Sequence, residues 1–476
     1  MTHPSLSTRR TATPRLRTLK LALVGLAAGL SLAACARQDG GLSGSDVDLA
    51  LQTLKAAPAH GIAAEPFHIE RIEKLVGGSS ADDKRQGQVE LKAALVAYAR
   101  AQHGLTIPKS AFPQDWGLKP AAYDAQGTLD RAIAGHHLKD WLAEQPTPLP
   151  AYRALQGAYV NYLKIAAAGG WPLVDGSRDP QGLVRRLAFE DPQLAGAQAG
   201  AAVDLTAAVQ RFQTAHGLTP TGRLDAATLQ EINVPAIARA AQIRANLERL
   251  RWLPRQEPAT RVDVNTAAAT MAYYRDGQVA MSMLSASGKP DGDETPMLAS
   301  AIDNIVLNPP WNVPDQIAQE EIIPKGEAYL QEKGFVMQDG RLVQKAGPEA
   351  ALGLVKFDFD NPYSVYLHDT PSKAAFGRTS RAVSHGCVRL ARAVDFAKLM
   401  LSQDAGWSAE RVDQVLASGE TTHVKLTRST PVRLIYLTAF VDGGRINFRP
   451  DVYGWDRQML ELLDHPPAPR KAAKRT

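Results

Sequence analysis

Only two cysteines occur in 476 residues, Cys35 and Cys387. Apolar runs are short: none reaches the roughly 18 residues that a membrane-spanning helix needs. No internal repeat is visible. Net charge is small as well. The formal value is +5, but five of the 54 basic residues fall within 1–35, which holds no acid. The remaining 49 balance 49 acidic residues, which argues against a nucleic-acid surface. With 45% hydrophobic and 22% charged residues, the chain can build packed cores. Its length suits about two to four domains.

The N-terminus reads as an export signal. Arg9, Arg10, Arg15, Arg17 and Lys20 precede the apolar run 21–32, and small residues follow. The ending Leu32-Ala33-Ala34-Cys35 resembles a bacterial lipoprotein signal, which implies lipidation of Cys35 as the new N-terminus. Ordinary cleavage near Ala34 is the alternative. Ala36 is not an aspartate retention mark, so the expected place is the periplasm, tethered to the outer membrane. A lipidated Cys35 leaves Cys387 without a disulfide partner. An unpaired thiol in an oxidising compartment is either buried and inert or kept for chemistry.

Residues 36–60 are rich in Gly, Ser, Asp and Ala and read as a tether. Helical periodicity dominates from about 62 to 250. In 89–103, Leu91, Leu95, Tyr98 and Ala99 recur at helical spacing, and Gly104 supplies a stop. From 201 the pattern tightens: Val209, Phe212 and Gln213 on one helix, then Gly217-Leu218, then Asp225 as the N-cap of a helix over 226–232. After 260 the period becomes two. Asp276-Gly277 and Asp442-Gly443 mark hairpin turns, and one helix over about 391–401 interrupts the strands. Residues 315–352 are polar and read as an insertion between strands rather than as sheet. The end, 461–476, is a solvated basic tail.

The chemistry concentrates near residue 387. His368 ends the strand 364–367, and fifteen residues separate it from Ser384-His385-Gly386-Cys387-Val388-Arg389. An imidazole beside a thiol favours the thiolate and can return the proton to a leaving amine. Gly386 lets a substrate approach the backbone. N–H groups at Gly386 and Cys387 suit a developing oxyanion. An inert core thiol is the bland alternative. His368, His385 and Cys387 are also metal-ligand types, but His-x-Cys is tight for one ion and no fourth ligand is near, so no metal is expected.

The spacing H-x15-S-H-G-C-V-R resembles the signature of the L,D-transpeptidases, the YkuD-type cysteine enzymes of bacterial cell walls. The likeness extends to Ser287-Gly288-Lys289-Pro290 with Thr295-Pro296, to 308–314 and to 361–371. It also includes Asn246-Leu247-Glu248-Arg249-Leu250-Arg251-Trp252-Leu253-Pro254. These resemble the large Gram-negative branch, and the likeness covers about 60–460. It implies a multidomain α+β chain: signal 1–35, tether 36–60 and helical scaffold 61–195. A small helical peptidoglycan-binding module (196–236) and a connecting helix (237–260) follow. A mainly β catalytic domain, a β-sandwich with a capping insertion, covers 261–460.

Position by position, the resemblance makes Cys387 the nucleophile and His368 its base. It gives Asp369 a backbone carbonyl that orients the imidazole, and His385 a site-shaping place. Many members have Asn where this chain has Arg389, as the large branch does; Arg389 and Ser384 join the substrate-binding candidates. Arg378 and Arg381 could meet a stem carboxylate or be solvated charges, and Trp311 could line the groove or be core. The implied reaction releases D-Ala from a donor tetrapeptide stem, leaves a thioester, and passes the acyl group to an acceptor stem, with no cofactor. Carbapenem β-lactams are the implied inhibitors. Water or a lipoprotein lysine as acceptor stays open. A non-enzymatic wall-binding protein is disfavoured by the intact His368 and Cys387.

Overall fold

The hairpin Asp276-Gly277 shows how local chemistry sets the catalytic fold. Both residues hold positive φ, 50° and 81°, as a two-residue turn of matching twist requires. The turn pairs β2 (Thr270–Arg275) with β3 (Gln278–Gly288). The computed structural model describes residues 41–176, 179–194, 203–404 and 406–467. The export signal and Cys35 lie outside the described residues.

The other strands are β1 (Arg261–Asn265), β4 (Leu298–Leu307), β5 (Trp311–Asn312), β6 (Phe335–Gln338), β7 (Arg341–Gln344) and β8 (Val355–Phe359). They continue with β9 (Leu367–His368), β10 (Ala382–Ser384), β11 (Val388–Leu390), β12 (Thr422–Ile435), β13 (Ala439–Asp442) and β14 (Arg445–Phe448). The large mixed sheet runs β10-β3-β11-β9-β8-β4-β12-β1-β2, and β2 also pairs with β3, so the ladder closes on itself. β3 makes this possible by pairing with β2 along its first half and β11 along its second. Inside lie Val262, Ile305, Phe357, Leu367, Val388 and Phe396, the last from the helix Ala393–Asp404. Fully burying such side chains stabilises by about 1.5–3 kcal/mol each.

A helical region precedes the sheet, as the sequence periodicity implies. Its internal boundaries differ from the expected ones. Residues 36–60 are not all tether: Ser43 caps the helix Gly44–Lys55 through a capping box, and Ala50, Leu51 and Leu54 are buried. They pack with Leu91, Leu95, Tyr98, Leu129 and Trp141 of the scaffold helices. A helix ahead of the expected module packs onto it. Leu183 and Leu187, on the helix Pro180–Leu187, share one apolar cluster with Val209, Phe212 and Ile232. Gln213 is fully buried there. Its amide donates to Thr221, Thr228 and the Arg223 carbonyl and accepts from the Gly222 N–H, so it organises the loop. Asp225 does cap its helix, accepting from the Thr228 N–H at 2.8 Å.

The helix Ala236–Arg251 joins the parts. Its Asn246 donates to Thr438 at 2.7 Å, and Arg249 pairs with the buried Asp456. Asp456 belongs to the helix Trp455–Asp464, so folded structure runs past 460 into the expected tail. The second hairpin turn is Gly443-Gly444, both at positive φ, with Asp442 paired to Arg445; this is one residue beyond the expected turn. The insertion is not merely polar loop. β5, β7 and β6 form a three-stranded sheet over Val313, Ala318, Ile322, Phe335 and Leu342. A π-helical turn, Ala318–Ile322, carries Glu320 and Glu321. Among the described residues, no helix is long and apolar enough to cross a membrane.

Candidate active site

Three adjacent strands place the reactive side chains on one face. β11 runs parallel to β9 with Val388 opposite Leu367 and Arg389 opposite His368. β8 pairs with β9 so that Lys356 faces His368. Side chains alternate along strands. Leu367, Val388 and Phe357 therefore enter the core at 0% exposure, while Tyr366, His368, Cys387, Arg389 and Lys356 share the other face.

His368 is buried, and its Nδ1–H donates to the Asp369 carbonyl at 2.5 Å. That bond fixes the ring and leaves Nε2 with the lone pair. Burial and the Arg389 charge hold the imidazole down to about 3, so it stays neutral near pH 7. The Asp369 carboxylate is spoken for: Lys373 donates to it at 2.5 Å and the Leu354 N–H at 3.0 Å. Gly353, at φ +61°, allows this, because a Cβ there would lie 2.5 Å from the Asp369 carboxylate.

Cys387 is a free, half-buried thiol. Burial pushes its pKa up; hydrogen bonds from the Tyr366 backbone and hydroxyl, and the Lys356 and Arg389 charges, oppose that push. Burial pushes the Tyr366 hydroxyl up, and the Trp311 indole N–H, donating to it, opposes that push, which brings Trp311 of the insertion to the site. The loop before Cys387 is pinned. Ser384 Oγ donates to the Cys387 carbonyl at 2.6 Å and is buried. Its hydroxyl therefore closes the turn before Cys387.

Thr295 Oγ1 donates to the Gly386 carbonyl at 2.7 Å and accepts from the Gly288 N–H at 2.8 Å. Gly386 takes φ +101°. Its N–H and that of Cys387 have no hydrogen-bond partner among the described residues, so both are free for an oxyanion. Arg389 has a buried Nε without a partner and no ion pair among the described residues. His385 is exposed, and Glu321 of the insertion lies 2.6 Å from its Nε2. Among the described residues no cluster of three metal-ligating side chains forms.

Arg378 and Arg381 are not brought to this face. They line a separate cleft that includes neither Cys387 nor His368. Sequence reasoning missed the roles of Tyr366, Thr295 and Glu321. Tyr366 had a signal: two residues before His368 in a strand, it must share that side chain's face.

A thiol and an oriented neutral imidazole on one face of adjacent strands, with free N–H groups next to the thiol, are the outline of a cysteine acyl-transfer site. Residues 259–432 match the model of the YkuD family, "L,D-transpeptidase catalytic domain". Residues 38–158 match "Scaffold domain" and 201–232 "Putative peptidoglycan binding domain". Residues 259–432 are thus similar to the YkuD-type L,D-transpeptidase catalytic domain, with segments similar to scaffold and peptidoglycan-binding domains ahead of it.

A Haemophilus influenzae protein described as "Putative L,D-transpeptidase" is 33% identical over 241 residues, covering 46% of this chain and 48% of that one. The chain thus spans about half the length of that curated relative. Among solved structures, the catalytic domain of an E. faecium L,D-transpeptidase acylated by ertapenem is 16% identical, with TM-score 0.21. It covers 38% of this chain and 99% of that one. An L,D-transpeptidase from Stackebrandtia nassauensis is 13% identical, with TM-score 0.20, covering 53% and 88%.

Proposed function

We propose that the protein cross-links peptidoglycan stem peptides between their third residues through a thioester on Cys387. The observation that carries this reading is the His368 imidazole, held neutral by burial and the Arg389 charge and oriented by the Asp369 carbonyl, on the face it shares with Cys387. His368 Nε2 takes the thiol proton, and Sγ attacks the carbonyl between the third residue and the terminal D-Ala of a donor stem. The N–H groups of Gly386 and Cys387 hold the oxyanion. The C–N bond breaks, D-Ala leaves with the proton from His368, and a thioester remains. An amine of an acceptor stem then attacks, gives its proton to His368, and the C–S bond breaks to restore the thiol. Arg389 receives a donor carboxylate, and Trp311 and Tyr366 wall the groove.

The basic-then-apolar N-terminal sequence ending at Cys35 supports periplasmic work by a lipid-tethered chain. Carbapenems would acylate the same sulfur. Incubation of the full chain with a carbapenem, followed by intact mass measurement, tests the nucleophile. A single adduct that disappears in Cys387→Ala is expected; an adduct that persists in the variant would remove Cys387 from the reading.

A further inference from the structure

A second cleft, of about 490 Å3, opens where three parts of the chain meet. One wall is the turn 217–220 after the module helix Leu205–Ala215. The second is the loop 376–382, which runs straight into β10 and the Ser384–Cys387 turn. The third is 449–452, after β14. Arg378, Arg381 and Arg449 line it, and no Asp or Glu does. None of the three arginines makes an ion pair among the described residues.

Their hydrogen bonds leave donors free. Arg381 gives one guanidinium nitrogen to the Arg378 carbonyl at 3.0 Å and the other to Ala268 at 3.1 Å, and its Nε has no partner. Arg449 Nη1 donates to the Ala215 carbonyl at 2.8 Å and to the Phe448 carbonyl at 2.6 Å, and its remaining N–H groups have no partner among the described residues. Burial and the charge of Arg381 hold Arg449 down to about 10, and Asp442 offsets this only in part. Positive charge is therefore concentrated, with Asp442 a partial counter-charge from outside the lining. Thr219 of the module and Thr379 of the loop meet at 3.0 Å across the cleft. Leu284, Phe376 and Val452 supply apolar lining.

We propose that this cleft holds the carboxylates of a stem peptide on a second glycan strand, beside the loop that leads to the nucleophile. The ligand identity rests on the acyl-transfer reading; the anion site rests on the three arginines. Guanidinium donors suit planar carboxylates, and the apolar lining suits alanyl methyl groups better than a phosphate backbone. One wall is the peptidoglycan-binding module itself, so a strand gripped there passes the cleft on its way to Cys387.

The test is calorimetric. The full chain carrying Cys387→Ala, which cannot turn over, is titrated with solubilised, uncross-linked glycan strands bearing tetrapeptide stems. The same strands with amidated stem carboxylates are titrated in parallel. Adding Arg378→Gln and Arg449→Gln should weaken binding of the native strands about tenfold, the scale of one or two charge-assisted hydrogen bonds. Arg378→Gln alone removes an exposed side chain without hydrogen bonds, and should give a smaller loss with an unchanged melting curve. Amidated strands should bind parent and variants alike. Native strands that bind both variants as tightly as the parent, or amidated strands that match native ones on the parent, would overturn the proposal. Carbapenem acylation of the unmutated chain, run alongside, separates the two readings: its failure sinks acyl transfer and leaves the anion-site result standing.

Discussion

Glu321 Oε1 lies 2.6 Å from His385 Nε2, joining residues 64 positions apart in sequence. The contact ties the π-helical turn of the insertion to the residue two before Cys387. Such turns recur at functional sites. His385 is 30% and Glu321 43% exposed, so solvent screens the tie, and it contributes about 1 kcal/mol or less. That is weak enough to open for a substrate. Glu321→Gln should raise amide hydrogen exchange across 311–345 while shifting the melting temperature by no more than about 2 °C. Unchanged exchange there would show that the contact does not hold the insertion.

Tyr366 should matter to rate more than to stability. Its hydroxyl hydrogen-bonds Cys387 and favours the thiolate. Tyr366→Phe keeps the ring and removes that bond, so carbapenem acylation should slow by about tenfold, a typical charge-assisted bond. Stopped-flow acylation at fixed pH, with a melting curve as control, reads both effects. An acylation rate equal to the parent's would remove Tyr366 from the site.

The pH dependence follows from two shifts. The Cys387 thiol lies above its ordinary value through burial, so the acylation rate should rise from pH 6 through pH 9. His368 is held at about 3 against 6.5 in the unfolded chain, so no limb near 6.5 should appear. Stability behaves differently. Between about 6.5 and 3 the unfolded chain binds the His368 proton and the folded one does not. Stability is therefore full above 6.5 and falls as pH drops through that window. In His368→Gln the loss of melting temperature between pH 7 and pH 5 should shrink. An equal loss would place the sensitivity elsewhere.

Gly288 is held by space rather than by φ. A Cβ there would sit 1.8 Å from the Asp293 carbonyl oxygen and 2.8 Å from the Thr295 nitrogen. Gly288→Ala must move the loop that carries Thr295, which pins Gly386. Destabilisation of roughly 1–3 kcal/mol is expected, with acylation slowed well beyond what the melting curve explains. A fully active variant would show that the 288–295 loop does not position the nucleophile turn.

Where a local rule decided the structure, the sequence was enough to read it. Asp276-Gly277 is such a case, because only a few residues accept the positive φ of that turn. His368 and Cys387 were legible for another reason: their spacing matches a family signature, and the register of β9 with β11 puts them on one face. Long-range packing decided the rest. The helix Gly44–Lys55 hides in a Gly-, Ser- and Asp-rich stretch, and only burial of Ala50, Leu51 and Leu54 against distant helices holds it there. Arg378 and Arg381 lie close to Cys387 in sequence, yet the loop turns them toward the module. The Glu321–His385 contact crosses the insertion, and no local pattern announces it.

The central claim is that Cys387 carries an acyl group from one stem to another. The direct measurement is mass spectrometry of defined disaccharide-tetrapeptides after incubation with the full chain near neutral pH. The account expects dimers linked through third residues, with loss of one D-Ala per bond, and none with Cys387→Ala. Tripeptide product alone would contradict cross-linking and assign the acceptor to water. No product, with no carbapenem adduct, would contradict acyl transfer altogether.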